Sequence, residues 1–324
     1  MTLAGGIDGG GTQTRCLVID KLGNIMGIGV SGSSKPDAAD PETGRAHLHQ
    51  AILSASQQCG GPEALDTLFV GMGGVVSEAD RQVVYHMLDG LTLKPGILID
   101  IDHDIRIALA GGTAGQPGIA LIVGTGSSCY GYNAVGESWR CGGWGYILDD
   151  MGSGFYLGQQ ALMAVVRAYD GRGPQTTLTE PVLDVLGVHD INEVMHRIYH
   201  PRLDHAGIAA LAPLVTANAE SDPIAHAIIA QGCAALADMV KTTARHLELP
   251  NDAPVIPVGS LATVSQVFRQ MLDQAILREL PQAQIIPPIA PPVVGAAFLA
   301  LQQKGFSLSV QALSRLNDVL VGLI

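Results

Sequence analysis

The stretch that decides the fold is IDGGGTQTR at residues 7–15, together with its later counterpart VGTGSS at residues 123–128. Each follows a short apolar run and places glycines and hydroxyl side chains in the turn that comes next. Glycine lets backbone amides approach an anion closely, and hydroxyl groups add donors. Neither stretch has GxGxxG spacing before a helix or the lysine of GxxxxGK[ST], so Rossmann and P-loop folds are excluded. A plain glycine hairpin is the alternative for the first turn taken alone.

The residues around the first turn predict an N-terminal lobe over residues 1–115. Apolar runs at 3–8, 14–20 and 25–30 indicate three consecutive strands, and apolar residues at helical spacing follow between 46 and 55. A strand, a helix and a further strand, GILIDID, come next. The order βββαβα is therefore predicted for the start of this α/β protein.

The same opening recurs from Gly118, where a strand, a glycine turn, a strand and the hairpin turn NAVGES follow one another. Two similar openings predict two lobes of one architecture, whose glycine turns hold one polyphosphate from both sides. The second lobe is predicted over residues 116–293, with helical insertions between 152 and 249. The C-terminal helical region, 294–324, is a candidate to complete the first lobe.

Composition excludes several classes of function. The chain has 324 residues and a formal net charge of -12, which disfavours binding to nucleic acid or to an anionic membrane. The N-terminus carries no basic stretch followed by an apolar run, so no signal peptide and no membrane span is predicted, and a cytoplasmic location is expected. Five cysteines without CxxC spacing are typical of reduced thiols rather than disulfides or a zinc site.

Three aspartates, Asp100, Asp102 and Asp104, alternate at the end of the strand GILIDID and would share one side if the strand reached that far. A carboxylate at this place can accept a proton from an attacking hydroxyl group. The alternative for Asp104 is that it caps the short helix that follows. His103 is a second candidate base, although a structural histidine is the expectation.

Two further segments carry candidate ligand contacts. CGGWGYILDDMGS at 141–153 combines a glycine-rich loop with Trp144, whose flat face suits a sugar ring, and with Asp150, a hydroxyl acceptor or metal partner. A tryptophan that packs into the core is the alternative. VGSLA at 258–262 is a third glycine turn before a helix, where the amides suit the sugar or phosphate of a nucleotide, or else form a simple strand-to-helix turn.

These motifs, in this order, resemble the N-acetylglucosamine kinase group of the BadF/BadG/BcrA/BcrD ATPase family, within the actin and sugar-kinase superfamily. The resemblance runs through most of the chain, and GTGS followed by GGWG and D-x-GS is its most specific part. It implies a two-lobed actin-like fold with ribonuclease H-like lobes, ATP and Mg²⁺ as cofactors, and a homodimer.

The resemblance also implies roles for individual residues. Asp104 would be the general base, and Asp8 would help to place Mg²⁺. The residues that would hold the phosphates and the adenosine are Gly10, Gly11, Thr12, Thr14, Gly124, Thr125, Gly259 and Ser260. The residues that would face the sugar are Lys35, Ser127, Ser128, Gly143, Trp144 and Asp150. The family commonly has glutamate where this chain has Met151, and asparagine where it has Lys35.

The function implied is transfer of the ATP γ-phosphoryl group to an amino sugar, most directly to the 6-hydroxyl of N-acetylglucosamine. Glucosamine and N-acetylmuramic acid are alternative substrates. An ATPase that activates a dehydratase or reductase is the alternative from another class, because other members of the family do this through a cysteine-held cluster. Here Cys129 and Cys141 lie inside the sugar-site motifs instead.

Lys35 generates a prediction about the sugar. Two like charges ~4 Å apart at an effective dielectric of ~20 repel by about 4 kcal/mol, which disfavours the ammonium group of glucosamine beside this lysine. A lysine that points into solvent is the alternative. We expect a higher kcat/KM for N-acetylglucosamine than for glucosamine, and a smaller difference in the variant Lys35→Asn. Steady-state kinetics with both sugars check this, and glucosamine as the better substrate of the unaltered protein would contradict it.

Overall fold

The computed structural model describes residues 1–34, 40–200 and 203–321. The residues group into two compact units, one formed by Met1–Ala120 with Pro287–Ile324 and the other by Leu121–Ile286. The domain boundaries expected after residues 115 and 293 stay a prediction.

The strands lie where the apolar runs predict them, and the described part of each unit holds five. Those of the first unit are β1 (Leu3–Gly9), β2 (Gln13–Asp20), β3 (Ile25–Gly32), β4 (Thr67–Met72) and β5 (Leu98–His103). Those of the second are β6 (Gly118–Val123), β7 (Ser127–Tyr132), β8 (Ser138–Gly142), β9 (Pro254–Val258) and β10 (Gln284–Ile285), with the first residues of β6 grouped in the first unit.

The helices of the first unit, numbered along the chain, are α1 (Pro41–Ser56), α2 (Glu78–Met87), α3 (Asp104–Thr113), α12 (Pro292–Gln302) and α13 (Val310–Val321). The helices of the second unit are α4 (Gly154–Tyr169), α5 (Thr179–Leu186), α6 (Ile191–Tyr199), α7 (His205–Ala209), α8 (Ala212–Asn218), α9 (Pro223–His246), α10 (Ser260–Val264) and α11 (Gln266–Glu279).

The two sheets have equivalent strand orders. The first runs β3-β2-β1-β4-β5, and the second, taken from its other edge, runs β8-β7-β6-β9-β10. In the first sheet β1 is antiparallel to β2 and parallel to β4, which makes the sheet mixed. The predicted α/β architecture of two mixed sheets flanked by helices is confirmed, and so is the predicted order of the first elements.

Both faces of the first sheet are buried, which explains the unbroken apolar run CLVI in β2. Cys16 and Val18 pack on one face with residues of α1, whereas Leu17 and Ile19 pack on the other face with residues of α12 and α13. Successive side chains of a strand point to opposite faces, so a strand that is covered on both sides has apolar residues throughout.

Helix α12 lies directly against the backbone of β1. A methyl group on Gly6 would stand 2.0 Å from the amide nitrogen of Ala297, and one on Gly295 would stand 2.0 Å from the carbonyl oxygen of Ile107 in α3. Only glycine fits at these two contacts. The close packing of α12 against β1 and α3 fixes the two elements that carry Asp8 and Asp104.

Helix α9 begins where Asp222 and Pro223 predict it, since the Asp222 carboxylate accepts a hydrogen bond from the amide of Ile224 and proline occupies the first turn. Among the described residues it is the one helix long and apolar enough to cross a membrane, and half of its most apolar stretch is buried inside the protein. It contributes buried residues along its length, as the core helix of a folded unit does.

The contact between Gly6 and Ala297 yields a test of the fold. We expect Gly6→Ala to lower the free energy of unfolding by at least about 3 kcal/mol, the upper end of the usual range for an overpacked core. The control is Gly44→Ala in α1, where the added methyl group would have its nearest neighbour at 3.5 Å, and where alanine favours the helix. Urea unfolding measures both, and a Gly6→Ala variant as stable as the native protein would contradict the packing.

Candidate active site

The turn between β1 and β2 presents part of the predicted phosphate motif. The amide of Gly10 donates to the carbonyl of Gln13 at 3.0 Å, which closes the turn, and Gly11 and Thr12 are exposed at its tip. Thr14 differs, because it is fully buried and its hydroxyl is hydrogen-bonded to Gly32 O at 2.8 Å and to Ser34 Oγ at 2.7 Å. Thr14 therefore fastens the turn to the end of β3, and we leave it out of the proposed phosphate contacts.

The carboxylates of Asp8 and Asp104 interact within the first unit. Asp8 is the penultimate residue of β1, and Asp104 is the first residue of α3. Burial and the negative charge of Asp104 raise the pKa of Asp8 from 3.8 to about 6, against an opposing effect of Arg15. A buried carboxylate whose pKa is raised by a neighbouring carboxylate is a favourable place for a cation, and Mg²⁺ prefers such oxygen ligands.

The end of β5 differs from the expectation. The strand stops at His103 and α3 begins at Asp104, so Asp104 does not share a strand face with Asp100 and Asp102. His103 caps the helix, since its Nδ1 accepts from the amide of Arg106 at 3.1 Å. The alternative that Asp104 is the cap is therefore wrong, and the structural role expected for His103 is confirmed.

Asp102 has its own partners at this strand end. Its carboxylate accepts from Arg106 Nη1 at 2.6 Å and from Arg81 Nη2 at 3.2 Å. Burial favours the neutral acid, but His103 and Arg106 outweigh it and hold the pKa of Asp102 below its usual value. Asp102 is therefore a charged anchor for α3.

In the second unit, the turn between β6 and β7 is tied to the start of α4. The amide of Gly154 donates to the carbonyl of Gly124 at 2.8 Å, and the amide of Phe155 donates to the carbonyl of Thr125 at 3.0 Å. The C=O and N–H groups of a trans peptide point in opposite directions, so the amides of Thr125 and Gly126 face away from α4. Two adjacent amides with this orientation can bind an anion.

Asp150 also stabilises the turn between β6 and β7. It is buried, and its Oδ1 accepts from the amide of Ser127 at 3.0 Å, while the hydroxyl of Ser127 donates to the carbonyl of Met151 at 3.0 Å. Asp150 has a φ of 64°, a conformation that costs of order 1–3 kcal/mol for a residue other than glycine. These contacts make Asp150 and Ser127 part of the framework of the turn, whereas their predicted sugar contacts stay predictions.

A cavity of about 330 Å³ adjoins this turn within the second unit. The segment VGSLA reaches this cavity through Gly259, which has a φ of 98°. A methyl group on Gly259 would stand 2.6 Å from the carbonyl oxygen of Val123, so this segment is in contact with the turn between β6 and β7. The lining residues are small or apolar for the most part and are Gly124, Thr125, Gly154, Ala206, Ala209, Ala210, Ala212, Pro213, Thr216, Ser260, Leu261, Val264 and Ser265. An apolar cavity beside a turn whose amides face away from α4 suits a nucleoside that carries phosphates.

The loop after β8 exposes its tryptophan. Trp144 is 64% exposed, and the guanidinium group of Arg140 lies 4.7 Å from the centre of its ring. Arg140 Nη1 also donates to the carbonyls of Gly142 at 3.1 Å and Gly143 at 2.9 Å. The alternative of a tryptophan packed into the core is therefore wrong. Ser128 lies against this loop, since a methyl group on Gly143 would stand 2.7 Å from its Oγ.

Sequence analysis predicted helices between residues 152 and 249, but it did not predict that α7 and α8 form one wall of the cavity. The signal that could have found them is the run AGIAALAP at 206–213, where small side chains recur within a helical segment and leave room for a ligand. Lys35, the remaining predicted sugar residue, lies outside the described residues.

An anion-binding turn beside a nucleoside-sized cavity, and carboxylates beside a glycine turn, define a protein of the ATPase and phosphotransferase class. The chain belongs to the BadF/BadG/BcrA/BcrD ATPase family, which it matches over residues 6–300. It is 30% identical over 312 residues to an N-acetyl-D-glucosamine kinase of Dictyostelium discoideum, covering 92% of this chain and 98% of that one. It is 29% identical over 275 residues to an N-acetylmuramic acid/N-acetylglucosamine kinase of Clostridium acetobutylicum, covering 83% and 89%.

The fold agrees with this family. A solved structure from Chromobacterium violaceum, of a protein assigned as an N-acetylglucosamine kinase, has a TM-score of 0.74 and 28% identity, covering 93% of this chain and 99% of that one. The predicted sugar-kinase type of fold is thereby confirmed.

The open space at Gly124 yields a test of the cavity. A methyl group there would meet no atom within 4 Å, so Gly124→Ala should leave the free energy of unfolding within about 0.5 kcal/mol of the native value. If ATP occupies the cavity, the methyl group obstructs it, and we expect about a tenfold weaker Kd, equivalent to about 1.4 kcal/mol. Calorimetric titration with ATP measures this, with Gly44→Ala as the control, and an unchanged Kd in a folded variant would contradict it.

Asp8 yields a prediction about pH. Between pH 3.8 and about 6 the Asp8 carboxyl group keeps its proton in the native state but has lost it in the unfolded state. The free energy of unfolding therefore falls as pH rises through this range, and the whole loss remains above pH 6. We expect Asp8→Asn to raise the free energy of unfolding at pH 8 by up to about 3 kcal/mol, with the gain vanishing towards pH 4.

The control for that prediction is Asp20→Asn. Burial alone would raise the pKa of Asp20, but hydrogen bonds from Asn24, Leu22 and Gly23 hold it below its usual value, so its removal should lower stability at pH 8. Urea unfolding at several pH values compares the two variants. A loss of stability at pH 8 in Asp8→Asn would overturn the assignment of its raised pKa.

Proposed function

We propose that this protein is an ATP-dependent kinase that phosphorylates the 6-hydroxyl of N-acetylglucosamine, with Asp104 as the general base. The observation that carries the proposal is the position of Asp104, which opens α3 beside Asp8 and is not the helix cap. A carboxylate at this place can accept a proton from a sugar hydroxyl. The relatives in Dictyostelium and Clostridium, both named as amino-sugar kinases, support the substrate class.

Asp104 is suited to its role by its surroundings. Its side chain is partly exposed, so a substrate hydroxyl has access to it. The neighbouring Asp102 forms ion pairs with Arg106 and Arg81, and these two cations balance its negative charge.

Phosphate binding is divided among backbone groups. The net charge of -12 leaves little general attraction for ATP, so its phosphates have to be held by local donors. The amides of Thr125 and Gly126 and the tip residues Gly11 and Thr12 are the groups we assign to them. The adenosine occupies the cavity that Ser260 and the helices α7 and α8 line.

Magnesium fits the carboxylates of the first unit. The raised pKa of Asp8 reflects burial and repulsion by Asp104, and a divalent cation would relieve both effects. Asp8 would hold Mg²⁺ through water, and the ion would neutralise phosphate charge.

The sugar is bound by the loop after β8 in this proposal. Trp144 presents an exposed ring, and Arg140 fixes both the ring and the two glycines before it. An aromatic face held in place in this way suits the apolar face of a sugar. N-acetylmuramic acid is the second candidate substrate, since the Clostridium relative is named for both sugars. A homodimer and a cytoplasmic location stay predictions.

Asp104→Asn tests the proposed base. It removes the proton acceptor and keeps the shape, so turnover should fall by roughly 10²–10⁴ while binding of N-acetylglucosamine is preserved. Coupled ADP release and calorimetric titration with the sugar measure the two quantities.

The control is Asp100→Asn, which removes another carboxylate from the end of β5. The Asp100 carboxylate lies 3.7 Å from Arg106 Nη1. This variant should keep most of its turnover. Near-normal turnover in Asp104→Asn would move the role to His103 or Asp102. An iron-containing protein that hydrolyses ATP without sugar would instead favour the activator of a dehydratase or reductase.

A further inference from the structure

His103 occupies the N-cap position of α3, directly before Asp104. Its backbone is extended, with φ at -69° and ψ at 156°, and its Nδ1 accepts a hydrogen bond from the amide of Arg106 at 3.1 Å. The first amides of a helix have no partner within the helix, and an acceptor at the N-cap position stabilises the first turn. Asp104 is the first residue of that turn, so the cap directly affects the backbone that carries its carboxylate.

The imidazole ring of His103 also reaches the end of β5. Its Nε2 lies 3.7 Å from Asp102 Oδ1, and the amide of His103 donates to the same oxygen at 2.9 Å. A neutral imidazole that accepts at Nδ1 carries its proton on Nε2, which is the nitrogen beside this carboxylate. The His103 side chain is only 13% exposed. Contacts at both ring nitrogens therefore hold His103 between the strand and the helix.

Asp102 is itself fixed by two cations. Its carboxylate accepts from Arg106 Nη1 at 2.6 Å and from Arg81 Nη2 at 3.2 Å. Arg106 thus ties α3 to the end of β5 twice, through its side chain to Asp102 and through its amide to His103. Asp104 lies in the chain between His103 and Arg106. The place of the Asp104 backbone therefore depends on these contacts, of which the cap is the nearest.

We propose that His103 is a positioning residue for phosphoryl transfer, which fixes Asp104 through the cap and takes no proton from the sugar. This inference rests on the proposed role of Asp104 as the general base. A base needs a lone pair for the proton that it accepts, and the lone pair on His103 Nδ1 is used by the Arg106 amide.

The cap acts on the rate of the reaction through geometry. A general base acts only within hydrogen-bond reach of the attacking hydroxyl, and a misplacement of about 1 Å can lower the rate by ~10². The cap touches neither the nucleotide cavity nor the loop after β8. Loss of the cap is therefore expected to lower kcat and to leave the binding of both substrates nearly unchanged.

Two substitutions separate the cap from the imidazole chemistry. His103→Ala removes the acceptor, whereas His103→Asn keeps one, because asparagine is among the best N-cap residues. We expect kcat to fall by about tenfold or more in His103→Ala, as for a misplaced base, and to stay within about threefold of the native value in His103→Asn. The KM for N-acetylglucosamine and the Kd for ATP should change by less than about twofold in both variants, as for independent sites.

The control is Asp190→Ala, which removes an N-cap in the second unit. The Asp190 carboxylate accepts from the amide of Asn192 at 2.7 Å at the start of α6. Urea unfolding should show a loss of stability in both alanine variants, and only His103→Ala should lose turnover. Equal losses of kcat in the two variants would show general damage to the fold and would overturn the proposal.

A double variant tests whether His103 acts through Asp104. If it does, adding His103→Ala to Asp104→Asn should lower kcat by less than about twofold further, because effects of residues that act as a unit do not add. Multiplied losses in the double variant, or a His103→Asn variant as inactive as His103→Ala, would overturn the proposal, and so would native kcat in His103→Ala. Near-normal turnover in Asp104→Asn would instead contradict the proposed base itself, which coupled ADP release measures in the same series.

Discussion

The orientation of two peptide groups is the constraint on which the nucleotide site depends. The carbonyls of Gly124 and Thr125 are bound by the first amides of α4, and the amides on the other side of these peptides therefore face away from α4. Asp150 secures the next amide, that of Ser127, from a backbone conformation that few residues other than glycine adopt. The turn is thus held in an anion-binding shape by its own protein contacts before any phosphate arrives. Preorganised donors of this kind favour binding because their ordering cost is met during folding.

In the first unit, packing holds carboxylates rather than amides in fixed positions. Gly6 lets α12 lie on β1, and the same helix packs against α3, so that the elements bearing Asp8 and Asp104 are fixed together. The resulting repulsion raises the pKa of Asp8 and costs stability at neutral pH. Repelling carboxylates that cost stability are typical of functional sites, and this agrees with the proposed magnesium ion and general base.

The strands, the glycine turns and the start of α9 could be predicted because their signals are local in the sequence. The roles of particular hydroxyl and carboxylate groups depend on neighbours that only the folded chain provides. Thr14 looks equivalent to Thr12 in the motif, but the return of β3 brings Ser34 to its hydroxyl. Asp104 has the residue type and position of a helix cap in the sequence, but the folded chain gives that role to His103. The cavity wall from α7 and α8 lies some eighty residues after the turn it adjoins, beyond the reach of any local pattern.

The most direct test of the account is the structure of the reaction product. The protein is incubated with ATP, Mg²⁺ and N-acetylglucosamine, and the product is examined by phosphorus and proton nuclear magnetic resonance. The account predicts one phosphosugar per ADP, with the phosphorus coupled to the two protons on C6. Release of ADP without a phosphosugar, or phosphorus coupled to a ring proton, would contradict it.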